Sequence, residues 1–475
     1  NTGKILVCGN AGAGRIGRGY YNSGNNNGRR YELSEVKHTG GYDGTNVIQI
    51  ASGEDQNLLL LNTGKVLAFG YNNYKQCGQA TTQGSGIYEP TEITQAAGYD
   101  GTNGKMVACG KEFSLVLLTS GKVIGFGRNY YGTLGNTTNT YSNTGVQGPV
   151  AFIENASNSN YDGTNAISIG CGGYFSGIIL EGGRLETVGW NNGGPLGYSG
   201  STSAVSPTPQ EISQTSTNGY DGTNAIKFTG GFHHSMVLLS SGKVLTAGYN
   251  EYGQLGRNTG STLGTTNPNT ALEPLDETGG YDGTNAIDIA GNEYASYVVL
   301  NNGKVLSFGT NYGGSGVWAG ELGRNVSEGW KTINRYPAEL YFSYIAEHDG
   351  IILNDEYRYK KDNVSMVSCG NDFTTMLLNS GKVIGCGNNE YGQLGSIHYN
   401  YSENPFFKAQ YATWGENRWA SIYVNGLISG VFGKFNGSAI SDKGMNVRGY
   451  LQDGEQFKYI FAGIDSNTPQ NLKMI

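Results

Sequence analysis

A glycine, then lysine or arginine, then an aliphatic residue: this short motif recurs seven times and constrains the chain more than any other feature. Its glycines are Gly3, Gly64, Gly121, Gly183, Gly242, Gly303 and Gly381, at intervals of 61, 57, 62, 59, 61 and 78 residues. A near-fixed period of that size marks one supersecondary unit repeated along the chain. It overrides the length prior that would divide 475 residues into several unrelated domains.

The internal copies share their neighbours. Upstream lie two short apolar runs around a glycine, as in NAISIGCGGYFSGIILEGGRL (165–185) and NAIKFTGGFHHSMVLLSSGKV (224–244). Downstream comes a glycine-rich turn: GYNEYGQLG (248–256), GNNEYGQLG (387–395) or GRNYYGTLG (127–135). Short β-rich runs bounded by turn residues read as antiparallel hairpins, and a fourth, outer strand after the turn completes a propeller blade. The expected fold is all-β, a seven-bladed β-propeller of four-stranded antiparallel blades. It forms one domain over 1–475, with insertions at about 310–363 and 396–456.

The first hairpin opens the chain, so its upstream strands must come from elsewhere. YIFAGIDSNTPQNLKMI (459–475) resembles IQIASGEDQNLLLL (48–61), and NTGKILVCG (1–9) resembles NTGKVLAFG (62–70). The ring is therefore expected to close by pairing N- and C-terminal strands in one blade, which removes two unpaired sheet edges. The alternative is a chain cut in mid-repeat from a longer one.

GGFHHSMVLLSSGKVLTAGYNEYGQLG (230–256) combines a small-G-x-x-[H/aromatic]-[S/T] strand, a G-K-V hairpin and an N-x-x-G-Q-L-G turn. In this it resembles the regulator of chromosome condensation repeat family. PLG at 195–197, KQCGQ at 75–79 and the longer GGSGVWAGELG at 313–323 depart from the pattern. The resemblance implies a seven-bladed propeller used mainly for protein recognition. Its members include guanine-nucleotide exchange factors, ubiquitin-ligase modules and a secreted inhibitor of β-lactamases, and fold alone does not choose among them.

Several motifs invite a chemical reading. GAGRIG (12–17) has the GxGxxG spacing of a dinucleotide loop, but it superposes on the repeat's own turn, and the following YYNSGNNNGRR cannot start a packed helix. The residue before the inner-strand glycine reads Ser52, Cys109, Cys171, Gly230, Ala290, Cys369 and Ala462, all small, as a crowded position near the ring axis requires. Where the resemblance places histidine stand Gln56, Phe113, Phe175, His234, Tyr294 and Phe373. YDGTN loops at Tyr42, Tyr99, Tyr161, Tyr220 and Tyr281 read as tight turns, with repeated ligand contact as the alternative. One carboxylate per loop is too few for calcium.

The six cysteines form no CxxC pair, and HExxH, GxSxG and Walker motifs are absent from the sequence. No catalytic residue, metal or cofactor is expected, and the chain reads as a non-enzymatic module. A net charge of −7 without a basic run argues against nucleic acid, and an aliphatic run of four leucines at 58–61 argues against membrane insertion.

The insertions concentrate aromatics. Trp318, Trp330, Tyr341, Phe342 and Tyr344 lie in the first, and Phe406, Phe407, Tyr411, Trp414 and Trp419 in the second. They are the candidate binding residues, as anchors of a protein interface, or else they cover the insertions' own small cores. Low lysine, abundant Asn, Gly, Tyr, Ser and Thr, and near-identical repeats resemble the make-up of surface and phage fibre proteins. The function expected is thus an extracellular or virion-surface propeller acting in attachment, decoration or assembly into a larger particle, with a protein or surface receptor as partner. The alternative is a cytoplasmic regulatory propeller, either an exchange factor or an enzyme inhibitor.

Overall fold

The computed structural model describes residues 3–19, 29–79, 86–138, 140, 146–199, 203–214, 218–259, 269–310, 322–323, 333–340, 364–371, 373–379, 383–387, 421–426, 455–461 and 473–474. In the first blade Val47–Ser52, Gln56–Leu61, Val66–Gly70 and Ile87–Glu92 pair in that order as an antiparallel meander. Blades 104–151, 166–211, 225–274 and 286–339 repeat it, and 364–387 supplies three strands of a sixth. The chain is an all-β propeller. Outer strand Ile333–Glu339 of the fifth blade falls inside the 310–363 segment.

Burial follows from the blades packing face to face. Second strands such as Gln56–Leu61 and Phe113–Leu118 are buried along their whole length, whereas the outer strand Ile87–Glu92 is mostly half-exposed. The core accordingly lies between blades: Leu58, Leu60 and Val66 of the first pack with Val107, Val116 and Phe126 of the second. A sheet covered on both faces reads as a continuous apolar run, which is why LLLL and LVLL carry no alternation.

The expectation of seven uniform four-stranded blades is corrected: six blades are built from consecutive strands, and only five of them have four described strands. The Lys4–Asn10 hairpin strand instead lies in a mixed sheet, ordered Arg29–Glu35, Lys4–Asn10, Ser421–Gly426 and Glu455–Phe461. Strands from the two ends of the chain do pair, but not as the similarity of 459–475 to 48–61 implied. Ser421–Gly426 lies beside Lys4–Asn10, with Lys4 opposite Val424, while Lys473–Met474 pairs farther along, Met474 opposite Val7. A strand edge accepts any extended segment that fills its ladder, so local likeness does not decide which of two segments takes the place.

Two sequence motifs prove to be halves of one joint between blades. Each YDGTN tyrosine sends its hydroxyl to the preceding hairpin and accepts a backbone N–H. Ile5 donates to Tyr42, Val66 to Tyr99, Val123 to Tyr161, Leu185 to Tyr220 and Val244 to Tyr281, at 2.7–2.9 Å. The loop threonine's carbonyl lies against the hairpin glycine: a Cβ on Gly121 would sit 1.7 Å from the Thr164 oxygen, and one on Gly64 1.8 Å from that of Thr102. Gly121 also has φ +82°, so the motif's glycine is required twice over. Within the loop, Asp162 Oδ1 accepts from the Thr164 N–H and hydroxyl at 2.8 Å, and Asn165 Nδ2 donates to the Asn160 carbonyl. The turn reading of YDGTN is thereby accounted for by contacts within the chain.

Candidate functional site

The propeller has two dissimilar faces. One carries the hairpins and YDGTN loops. The other, here the turn face, carries the loops between first and second strands and the glycine-rich turns after the third strands. Each turn is closed by its asparagine: Asn72, Asn129, Asn191 and Asn250 accept through Oδ1 from the N–H five residues on, at 2.9–3.2 Å. The turn then anchors the next blade, because Ser114, Ser176 and Ser296 hydroxyls donate to the carbonyls of Gln76, Thr133 and Gln254, each at 2.8 Å. Arg15 of GAGRIG takes the same place, accepting at its carbonyl from Asn57 Nδ2 at 3.0 Å. That segment is a repeat turn, with a three-residue 3-10 stretch at Gly12–Gly14.

Nearer the axis the first-to-second-strand loops bond to one another. Glu54 N–H donates to the Lys111 carbonyl (3.2 Å), Lys111 N–H to Gly173 (2.9 Å) and Gly173 N–H to Gly231 (3.0 Å). This backbone chain fixes four neighbouring loops and so aligns the side chains above them.

Those side chains form a continuous aromatic belt over four blades. Tyr71 meets Tyr74 edge-on, and the Arg128 guanidinium lies over Tyr74 at 5.1 Å and Tyr130 at 5.6 Å. Tyr130 contacts Tyr131, Tyr131 contacts Tyr174, and Tyr174 contacts Phe232, with centroids 4.7, 5.0 and 5.1 Å apart. Phe232 meets His233 at 4.5 Å, and His233 meets both Trp190 and Tyr249 at 4.7 and 5.3 Å. Tyr252 and Tyr294 form a further pair at 4.9 Å.

Charge within the belt is compensated locally. Lys111, over the rings of Phe232 and Tyr174, pairs with Glu54 at 3.6 Å, and Arg128 pairs with Glu112 at 2.6 Å. Burial pushes the phenols of Tyr74, Tyr131, Tyr174 and Tyr249 upward, and burial with the nearby Lys111 pulls His233 down to about 4. The belt is thus a neutral, half-buried aromatic surface at physiological pH, rich in ring faces and phenol groups. Such surfaces bind by desolvating large rigid rings at small entropic cost.

Beneath it, His234 is fully buried and bonds Ser296 Oγ through Nε2 at 2.7 Å. Ser296 already donates to the Gln254 carbonyl, so the imidazole must carry its proton on Nε2. Burial holds its pKa down to about 3, and its role is to join blades. The equivalent Gln56 does likewise, donating to the carbonyls of Gly110 and Phe113. Pairing register corrects two sequence assignments in the fifth blade. Ala295, opposite Gly309, occupies the position given to Tyr294, and Gly291, opposite Ser296, the one given to Ala290. Asn292 stands where the other blades have the loop glycine, and Tyr294 takes the turn-face place that Tyr174 and His233 hold in the blades before it.

None of the candidate aromatics Trp318, Trp330, Tyr341, Phe342, Tyr344, Phe406, Phe407, Tyr411, Trp414 and Trp419 lies within the described residues. Trp190, set apart in the sequence from the other four tryptophans, lies within the described residues and joins the belt. Its signal was its place directly after the third-strand glycine, shared with Tyr71, Arg128 and Tyr249. All six cysteines are buried thiols, and burial pushes Cys109 up to about 12. Among the described residues no group of three or more His, Cys, Asp or Glu is placed to hold a metal.

Fold and face together define a repeat-built β-propeller with a continuous aromatic surface on one end. Residues 107–133, 225–254 and 364–393, and separately 63–117, match family profiles of the Regulator of chromosome condensation (RCC1) repeat. The chain thus carries RCC1 repeats and is similar to the RCC1-repeat propellers. It is similar to the human probable E3 ubiquitin-protein ligase HERC6, 28% identical over 281 residues, covering 58% of this chain and 25% of that protein. It is also similar to Drosophila melanogaster Regulator of chromosome condensation, 24% identical over 367 residues, covering 65% and 60%. The chain therefore spans a quarter to three-fifths of these relatives' lengths. Among solved structures, Saccharomyces cerevisiae Prp20p matches with a TM-score of 0.63 at 17% identity, covering 83% of each chain, a likeness of fold.

Proposed function

We propose that the chain acts by non-catalytic protein recognition, with the turn-face aromatic belt as the contact surface. The observation that carries this reading is the line of ring contacts from Tyr71 to Tyr249, bridged between Tyr74 and Tyr130 by the Arg128 guanidinium, with its embedded cations already neutralised. We also propose that the mixed terminal sheet acts as the seventh unit of the ring. In support, Glu455–Phe461 lies against the inner strands Val47–Ser52 and Val364–Cys369 on either side.

A photo-crosslinking amino acid placed at Tyr249 tests the recognition surface in the native source. A partner captured there, lost on Trp190→Ala and kept when an exposed hairpin-face residue is changed, supports it. Capture that is indifferent to Trp190→Ala refutes it.

Likeness to Prp20p, described with binding properties towards Gsp1p and histones, favours a regulatory variant of this reading. Its test is the rate at which Gsp1p releases a fluorescent nucleotide with and without the chain; no acceleration would remove the exchange-factor version. The extracellular or virion-surface setting rests on composition, and mass spectrometry of particle, envelope and cytosolic fractions decides it.

A further inference from the structure

The opposite face carries a feature that the recognition reading does not use. Every inner strand of the six blades has a β-bulge at its second residue: register slips between Val47 and Gln49, Gly104 and Met106, Ala166 and Ser168, Ala225 and Lys227, Ala286 and Asp288, and Val364 and Met366. A bulged residue leaves the ladder, and its side chain is re-aimed. Here four of the six are isoleucine, and Ile48, Ile167, Ile226 and Ile287 stand 47%, 42%, 53% and 49% exposed.

Ile167, Ile226 and Ile287 lie on three successive inner strands that contact one another. They form an apolar arc on the hairpin-face side of the inner strands. A single exposed isoleucine is unremarked on any surface, but the same one repeated at a bulge on adjacent strands is a patch.

Around the arc stand the YDGTN carboxylates of Asp43, Asp100, Asp162, Asp221 and Asp282, all exposed. Each is held by threonine N–H and hydroxyl donors, which orient the carboxylate without neutralising it. The hairpin cations are committed elsewhere: Lys65 to Glu92, Lys122 to Glu154, Lys304 to Glu339 and Arg184 to Glu211. Lys4 pairs with Glu35, and Lys227, beside Ile226, pairs with Asp288; among the described residues this leaves Lys105 and Lys243 set against the five aspartates. The field at the rim is negative.

We propose that this face is a second interaction surface, which takes a cationic polypeptide segment with apolar side chains at its point of contact. The isoleucine arc receives the apolar side chains and the aspartate rim holds the surrounding lysines or arginines. Charge complementarity selects this occupant over an acidic or purely apolar one.

The fold itself supplies safe test variants, because the bulge position carries Lys105 in the second blade and Ser365 in the sixth. Ile167→Ser/Ile226→Ser/Ile287→Ser and the single Ile226→Lys should therefore keep the wild-type circular dichroism spectrum and urea midpoint. The probe is a fluorescein-labelled Lys/Leu peptide, read by anisotropy against Glu/Leu and Lys/Ser peptides of the same length.

Half a buried isoleucine is worth roughly fivefold in affinity, so the triple variant should weaken Lys/Leu binding about a hundredfold. Ile226→Lys should weaken it further than Ile226→Ser, and raised salt should weaken wild-type binding. Equal affinity for the Lys/Ser peptide, or a folded triple variant that binds Lys/Leu as wild type does, would overturn the proposal. Trp190→Ala on the turn face should leave this binding unchanged, which separates its failure from that of the belt reading.

Discussion

Replacing the five YDGTN tyrosines by phenylalanine, one at a time, probes the joint between blades with the fold as its own control. In each case the ring stays in its pocket, and only the hydroxyl that accepts a hairpin N–H is removed. Both ends of every bond are buried, so the donor left behind has no water to turn to. An unsatisfied buried amide costs about 1–3 kcal/mol. Tyr161→Phe, fully buried and bonded to Val123 at 2.7 Å, should fall within that range. Tyr220→Phe should lie at its upper end, because that hydroxyl also donates to Glu211 at 3.3 Å. Urea titration followed by tryptophan fluorescence measures the loss. Tyr336→Phe, 49% exposed, is the reference and should change stability by less than about 0.5 kcal/mol. If all five joint variants match that reference, the hydroxyls do not hold the blades together and the reasoning fails.

Gly121→Ala should destabilise more than any of these, since the new Cβ meets the Thr164 carbonyl carbon at 2.3 Å at a φ of +82°; a folded variant with a wild-type urea midpoint would contradict it. Stability should decline in two stages as pH falls. His233 and His234 have folded pKa values lowered to about 4 and about 3, so the unfolded chain binds their protons first. Their contribution is complete above the ordinary imidazole value and is lost as pH drops from about 6.5 towards 4, at up to about 1.4 kcal/mol per unit for each histidine. His234→Gln, which copies Gln56 of the first blade, should flatten that limb. The second stage comes from Asp43, Asp100, Asp162, Asp221 and Asp282, whose pKa values are lowered chiefly by the threonine donors. That support is present above the ordinary carboxylate range and is lost below it, which urea midpoints across the acid range would detect. Finally, the six buried thiols should resist a water-soluble thiol reagent until urea unfolds the chain; rapid native labelling of Cys109 or Cys171 would place them at the surface instead.

Much of this was legible because it is local. The period of the G-[KR]-[VIL] motif, the buried second strands and the turn residues depend on neighbours a few positions apart, where apolar runs and glycine φ preferences act directly. The exclusion of a nucleotide loop at 12–17 also followed locally, from alignment with the repeat's turn. The fifth blade misled for the same reason. Tyr294 aligns with His234 only when Gly291 is taken for the loop glycine; Asn292 stands in that glycine's place, and pairing puts Ala295 opposite Gly309.

What the sequence by itself determined was therefore the unit: β-strands in hairpins, repeated, with glycines at fixed turns. Tertiary structure alone decided what the units do to one another. Tyr161 reaches Val123 across 38 residues, and Ser296 reaches Gln254 across 42. The belt draws Tyr74, Tyr131, Tyr174 and Tyr249 from four blades into one surface, and the bulges bring isoleucines spaced about sixty residues apart onto one face. No local preference encodes such meetings. They exist because packing blade against blade around an axis fixes which loop ends are neighbours, and that geometry arises only when the ring has formed.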